Sequence, residues 1–499
     1  MSETEHYGLL LAITAAVALA AVLSNRLTER IKIPVPLLML AGSAVAAAVV
    51  GRLHAPGHQT VERIVTAALV LILFDGGMHI GWKRFREAAA PIAIVGVVGT
   101  FLTAAAGALL LHAVFGLGWY VALLVATAVA PTDPAVVFSV LGRREIAGRS
   151  GTILEGESGA NDPVGIALMG GLVAAGSLTG GAVLHVAVEF LLQMAIGGAF
   201  GLVGARALLW FMRRVPLPSE GLYPLRTLAC AFLLYGLATV AHGSGFLAVF
   251  VAGILIGDAT APYKREAERF HAALASLAEI VAFVVLGLTV DLHVLARADV
   301  WVPGLVLGIV LAAVIRPVLV GSCVLPARLR PNERTFVLFA GLKGAVPILL
   351  GQLLSAAHVP DAGRLYGIIV VVVAFSVLVQ GSLVPAATEY LRLPMRTTEP
   401  EPWALGVRLL EEPGGVLRLN VDDGSTVDGV PVDQLPGLVG DVWVSIILRD
   451  QQLVPLRGQT VLRAGDDVIL LATPDVQRRL GEAFRRPEAL RDPEALRRP

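Results

Sequence analysis

The segment Ala130-Pro131-Thr132-Asp133-Pro134 sets a hydroxyl and a carboxylate between two prolines in the middle of an apolar run. Each proline removes a backbone donor and clashes with the preceding turn. Together they predict a broken helix whose freed carbonyls near Thr132 must find a partner, such as an ion or a cavity. The next apolar run carries Glu155, Glu157, Ser158, Asn161 and Asp162 ahead of Pro163. Glu157 and Asn161 are four residues apart, as are Ser158 and Asp162, so each pair shares one helix face. Packing alone asks for none of these groups. An ionisable side chain at membrane depth costs roughly 2.5–3.5 kcal/mol on insertion scales, and such groups usually serve function. Desolvation and a neighbouring like charge both favour the neutral form of a carboxylic acid. A shared Asp133–Asp162 site would therefore hold either a proton or a cation.

Further charged groups sit in apolar runs. Asp75 lies in Leu73-Phe74-Asp75-Gly76-Gly77, where it reads either as a site acid or as an acid at a helix end. Arg316, before Pro317, falls in mid-span. A buried guanidinium requires a carboxylate, and Glu157 is the candidate. Lys343 stands in Gly341-Leu342-Lys343-Gly344-Ala345-Val346-Pro347, a second span interrupted by glycine and proline. Lys343 would suit the C-terminal end of a half-helix. Two interrupted helices, one in each half of the chain, point to repeat architecture. Glu189 and Glu279 are also embedded in apolar segments, and the sequence assigns them no role.

The elements that must position these groups are membrane spans. The 499 residues are 56% hydrophobic and 16% charged, against about 25% charged in soluble domains. A span needs about 20 apolar residues. That ruler predicts thirteen, near 7–24, 34–52, 62–80, 90–115, 118–141, 152–177, 183–212, 222–241, 244–259, 269–290, 300–325, 334–357 and 365–389. With the N-terminus outside, the inner loops and their edges hold seventeen basic residues and the outer ones four. That asymmetry places the C-terminus in the cytoplasm. The N-terminal residues lack the basic stretch of a cleaved signal peptide, so the first span is expected to stay. Beyond residue 392 the composition turns soluble. A linker at 393–403 leads to strand-like runs at 416–421, 442–448 and 467–471 separated by glycine turns, within a domain at 404–484. A charged tail follows at 485–499, with the composition of a disordered segment. The expected fold is an all-α polytopic membrane protein with inverted repeats and broken helices at 1–392, plus a small cytoplasmic α+β domain.

Zero net charge argues against a nucleic-acid partner. The two cysteines, Cys230 and Cys323, form neither a disulfide framework nor a metal-ligand spacing. No enzymatic reaction and no cofactor are expected. A channel would need a filter-like repeat, and none is present. An intramembrane aspartyl protease would need a proton-sharing dyad, but both candidate acids precede prolines. A receptor would not need so many buried charges.

At these residues the chain resembles the cation:proton antiporter-1 family, and within it the bacterial CvrA-type potassium/proton antiporters. The resemblance rests on Leu71–Met78, Pro131–Leu141, Glu157–Pro163, Glu220–Leu225, Gly243–Val249 and Gly341–Pro347, in family order across nearly the whole membrane region. It implies a homodimer in the bacterial inner membrane that exchanges K+ and/or Na+ for protons. It implies that the Asn161-Asp162 pair, in place of the Asp-Asp of electrogenic relatives, makes exchange electroneutral. Asp162 would carry proton and cation, Thr132 would offer a main-chain oxygen, and Asp133 and Ser158 would line the site. Glu157 and Arg316 would form a buried pair positioning Asn161. Asp75 stands where many relatives have Glu, and Lys343 where most have Arg. The segment 404–484 resembles the C-terminal half of RCK regulatory domains. Some modules of that type bind cyclic di-AMP, so the resemblance leaves a regulatory nucleotide open. The chain carries no Gly-x-Gly-x-x-Gly after a strand, so the nucleotide-binding half of an RCK unit is absent.

Overall fold

A computed structural model of the chain describes residues 35–49, 57–141, 144–146, 148–327, 329–397, 416–440, 442–449, 452–472 and 474–485. The expected span at 7–24, and most of the expected linker and tail, lie outside these residues. The chain divides into two compact units, Met1–Pro402 and Trp403–Pro499.

The first unit is helical. It opens with α1 (Val35–Val49), α2 (His58–Ala93), a π-helical stretch at Ile94–Gly99, α3 (Thr100–Phe115) and α4 (Trp119–Ala128). The expected spans 62–80 and 90–115 fall in one run from His58 to Phe115. The chain kinks within it at Gly81, where φ is 68°. A side chain there would be strained and would run into the Asp258 carboxylate, which accepts the Lys83 amide at 2.5 Å. After α4 the chain leaves helical geometry until α5 (Ala135–Leu141), as the two prolines require. A short strand, β1 (Arg144–Ile146), leads into α6 (Arg149–Ala175), followed by α7 (Gly180–Arg214), α8 (Leu222–Val240), α9 (Gly245–Gly257) and α10 (Lys264–Gly287). The short α11 (Leu292–Leu295) precedes α12 (Ala298–Val310), a π-helical stretch at Leu311–Val320 and α13 (Gly321–Val324). Helix α14 (Pro331–Phe339) stops at the second expected interruption, and α15 (Ala345–Ala356) resumes beyond it. The unit ends with α16 (Ala362–Phe375), a π-helical stretch at Ser376–Gly381, α17 (Ser382–Tyr390) and β2 (Met395–Thr397).

Among the described residues six helical runs are long and apolar enough to cross a membrane, and four shorter apolar helices accompany them. Helix α6 has the length, at 27 residues, but is not among the six. Its polar middle, Ser158 to Asp162, lowers its hydropathy. Helices α2 and α9 approach backbone to backbone, which small residues permit in lipid. A methyl group on Gly253 would run into the Phe74 carbonyl and lie 3.1 Å from the Gly77 Cα. Strands β1 and β2 pair antiparallel with Glu145 opposite Arg396. The sequence carries no signal for this pairing, because three-residue strands leave no readable alternation.

The second unit is a four-stranded antiparallel sheet in the order β3-β6-β4-β5, from β3 (Val416–Asn420), β4 (Val442–Arg449), β5 (Gln452–Val454) and β6 (Asp467–Ala472). Three of these are the expected strands, and β5 is additional. Helices α18 (Leu435–Val439) and α19 (Pro474–Ala483) pack on each other. Alternate residues Val468, Leu470 and Ala472 of β6 are buried, as in a sheet with one covered face. They share a core with Val421, Leu435, Ile447, Leu480 and Phe484.

Candidate ion-binding site where two broken helices meet

The two interruptions, 129–134 and 340–344, touch through their backbones. The Asp133 amide donates to the Leu342 carbonyl at 2.8 Å. The Asp133 carboxylate accepts the Ala135 amide at 2.9 Å and the amide of Ala345, the first residue of α15. One side chain thus serves the N-terminal ends of both resuming helices, where a carboxylate is favoured. The approach is close: a methyl group on Gly344 would run into that carboxylate. Pro134 precedes α5 and Pro347 lies in the first turn of α15.

The opposite helix end receives a cation. Lys343 Nζ donates to the carbonyls of Ala130 at 2.9 Å and Pro131 at 3.1 Å, just past the end of α4. These are carbonyls that a broken helix leaves open. The Lys343 amide donates to Ser376 Oγ at 3.0 Å, Ser376 donates to Gln380 Oε1 at 3.2 Å, and Gln380 Nε2 donates to the Phe339 carbonyl at 2.5 Å.

Glu157 and Arg316 form a two-pronged pair, Nη1 to Oε1 at 2.8 Å and Nη2 to Oε2 at 2.9 Å, with side chains 3% and 8% exposed. The guanidinium also donates to the carbonyls of Leu338 at 2.8 Å and Val337 at 3.1 Å. A methyl group on Gly341 would strike it. Such charge-assisted, planar pairing is the strong form of the contact. Glu157 reaches Asn161 through Thr132. The Thr132 hydroxyl donates to Glu157 Oε1 at 3.4 Å and accepts Asn161 Nδ2 at 2.8 Å, while the Thr132 amide donates to Asn161 Oδ1 at 3.4 Å.

Asp162 follows Asn161 on α6, one turn beyond Ser158, and is 6% exposed. Ser158 hydrogen-bonds its carboxylate, and Asp133 and Lys343 are its charged neighbours. Its Oδ1 is buried with no hydrogen-bond partner among the described residues. The three π-helical stretches border this cluster. Gly96 of the first packs against Ala160 and the Glu157 carbonyl, Arg316 belongs to the second, and Ser376 and Gln380 to the third. Widened turns of this kind recur at functional sites. A cavity of about 20 Å³ lies beside Arg316, Lys343, Ser376 and Gln380, large enough for one water.

Thr132, Asp133, Glu157, Ser158, Asn161, Asp162, Arg316 and Lys343 thus converge. Asp75 does not share their contacts: its charged neighbours are His79 and Glu268. Glu189 faces His185 at 3.8 Å and accepts Gln193 at 3.2 Å, within α7. Glu279, to which the sequence assigns no role, is an α10 residue with Asp133 as its charged neighbour. Only tertiary packing makes the two neighbours, so the sequence holds no local signal beyond an acid in an apolar run.

Two helix breaks that meet beside buried carboxyl groups in an apolar helical unit are an arrangement suited to moving ions. The chain belongs to the sodium/hydrogen exchanger family: the transmembrane sodium/hydrogen exchanger model matches residues 12–389. The TrkA-C domain model matches residues 416–485. Over 392 residues the chain is 33% identical to the K(+)/H(+) antiporter NhaP of Alkalimonas amylolytica, covering 78% of this chain and 68% of that one. It is 28% identical over 485 residues to the K(+)/H(+) antiporter NhaP2 of Shewanella oneidensis, covering 95% and 82%. The structure of the sodium proton antiporter MjNhaP1 from Methanocaldococcus jannaschii superposes with a TM-score of 0.63 at 20% identity, covering 77% of this chain and 99% of that one. The protein is a multi-pass membrane antiporter with a small α+β C-terminal domain, and it moves ions rather than transforming a substrate.

Proposed function

We propose that the protein exchanges K+ for a proton, one for one, with Asp162 binding each in turn. The observation that carries this reading is the open Oδ1 of Asp162 beside neighbours whose bonds are already made. Asp133 and Ser158 line the site with it, and Thr132 and Asn161 hold the broken segment in place. The Glu157–Arg316 pair cancels its own charge, so a cycle that turns on Asp162 alone moves no net charge. Preference for K+ over Na+ is supported by the K(+)/H(+) antiporter relatives; Na+ is the alternative substrate. Alternating access of a homodimer in a bacterial inner membrane, with the N-terminus outside, is the working arrangement. The TrkA-C unit regulates exchange from the cytoplasmic side by binding a small ligand, with cyclic di-AMP or another nucleotide as the class to try first. Its effect requires tighter binding to one transport state than to another.

The test is exchange in proteoliposomes. An imposed K+ gradient is expected to dissipate a pH gradient in the wild type, more strongly than an equal Na+ gradient, and not in Asp162→Asn. An imposed membrane potential is expected to leave the rate unchanged. A transport current on supported membranes that scales with voltage would overturn the one-for-one stoichiometry.

A further inference from the structure

The charges at the crossing do not balance among protein groups. Asp133, Glu157, Asp162 and Glu279 supply four carboxyl groups, and Arg316 and Lys343 supply two cations. Arg316 spends four hydrogen bonds on Glu157 and two carbonyls. The Lys343 ammonium is directed to Ala130 and Pro131. Neither donates a hydrogen bond to Glu279. Glu279 comes from α10, a helix that packs on both α2 and α15. Asp133 is its charged neighbour, and α10 supplies none of the other site residues. Its Oε1 is buried with no hydrogen-bond partner among the described residues. A carboxylate in that position lacks a donor, and a protonated carboxyl still leaves buried Oε1 unsatisfied, which is costly either way. Asp162, nine-tenths buried and open at Oδ1, is a second unmatched oxygen at the same crossing.

We infer that Glu279 is a further cation-binding residue, a carboxylate beside Asp133 that receives the transported cation and passes it to Asp162. A desolvated carboxylate with an open oxygen is the oxygen donor that a dehydrating K+ or Na+ needs. Its open oxygen, on a helix that packs against α15, would give the cation a station on the α10 side of the broken helices. This inference rests on the reading of Asp162 as the carrier.

The test compares Glu279→Gln, Glu279→Asp and Asp162→Asn with the wild type, in proteoliposomes over a series of K+ concentrations. Glu279→Gln is isosteric with a neutral carboxyl group. It is expected to raise the K+ concentration for half-maximal exchange about tenfold, as loss of one charged contact would. The deficit should be greater at low K+ than at saturating K+, and Glu279→Asp should recover part of it. Protection of the purified protein against thermal unfolding by added K+ is expected to weaken in the same order. A Glu279→Gln protein with wild-type half-saturation and wild-type K+ protection overturns the inference, because Glu279 is then a permanently neutral structural acid. Equal loss of rate at all K+ concentrations, with lowered melting in the absence of K+, also overturns it. If Asp162→Asn still exchanges K+ for protons, the carrier reading fails first. If Asp162→Asn is inactive while Glu279→Gln behaves as wild type, only the role of Glu279 fails.

Discussion

Glu157 and Asp162 stand five positions apart on α6, and both are buried, at 2% and 6% exposed. Both oxygens of Glu157 are engaged: Arg316 grips the two of them, and Thr132 adds a longer contact. Asp162 has Ser158 on its carboxylate and nothing on Oδ1 among the described residues. Under the proposed roles, burial does not distinguish the structural acid from the carrier; the state of satisfaction does. A carboxylate with all its bonds made cannot accept an ion without breaking them. One with an open oxygen and a like charge beside it can bind an ion and let it go.

The largest effect should separate these two acids in one assay. Asp162→Asn is expected to abolish K+-driven proton movement while leaving the purified protein folded and its melting little changed. Substitutions at Glu157 should do the reverse in kind, acting first on stability. Exchange by Asp162→Asn at near the wild-type rate would erase the contrast.

Breaking the buried pair comes next. Glu157→Ala or Arg316→Ala leaves an unmatched charge, which typically costs about 3–5 kcal/mol. The double change should cost less than the sum of the single ones, as double-mutant cycles report for residues in contact. Melting of the detergent-solubilised variants measures this. Strict additivity would mean that the 2.8 Å contact carries no coupling.

The legibility of the two acids differs in the same way. Residue type and spacing point to Thr132, Asp133, Glu157, Asn161 and Asp162, because packing in lipid gives no reason to set polar groups at helical spacing in an apolar run. Arg316 is matched to Glu157 because a buried guanidinium needs an acid. The helix breaks are readable from Pro131, Pro134, Gly341 and Gly344. What the sequence hides is which groups are already engaged. The commitment of Lys343 to Ala130 and Pro131, the Ser376–Gln380 chain to Phe339, and the approach of Glu279 to Asp133 all depend on how distant helices pack. Periodicity within one segment carries no information on them. The β1–β2 pair is hidden for a related reason, as its strands, Arg144–Ile146 and Met395–Thr397, lie far apart in the chain and are too short to show a pattern.

Gly344 offers a smaller perturbation that shifts the open side of the site and leaves the pair alone. In Gly344→Ala the new methyl group meets the Asp133 carboxylate, which holds the Ala135 and Ala345 amides. Overpacking of this kind costs typically about 1–3 kcal/mol. The expected outcome is slower exchange with a modest loss of melting temperature, and wild-type coupling between Glu157 and Arg316. Unchanged exchange in that variant would show that Asp133 need not sit where the two interruptions place it.

The smallest effect belongs to a third acid, Asp466 in the C-terminal unit, which sharpens the comparison by repeating the Glu157 arrangement near water. Arg449 donates Nε to Oδ1 and Nη2 to Oδ2, both at 2.7 Å, and the Arg463 amide donates at 2.9 Å. Burial pushes the Asp466 carboxyl up, but these bonds and the Arg449 and Arg463 charges outweigh it and hold it below the ordinary aspartate value. Arg449 is 26% exposed, so solvent screens the pair, and its contribution is about 1 kcal/mol or less. A carboxylate held low in the folded state lends its stability above the unfolded-state value. That stability is lost as pH falls through the folded value. The loss therefore belongs to the acid range beneath the ordinary aspartate value, with a plateau from there to neutrality. Hydrogen exchange at β4 and β6 in the full chain, corrected for the intrinsic pH dependence of exchange, reads it out. Wild type is expected to be better protected than Asp466→Asn by a constant margin near neutral pH, and the margin should close in acid. A margin that persists unchanged through that range would mean that the contact acts through hydrogen-bond geometry that Asn does not reproduce, and not through its charge.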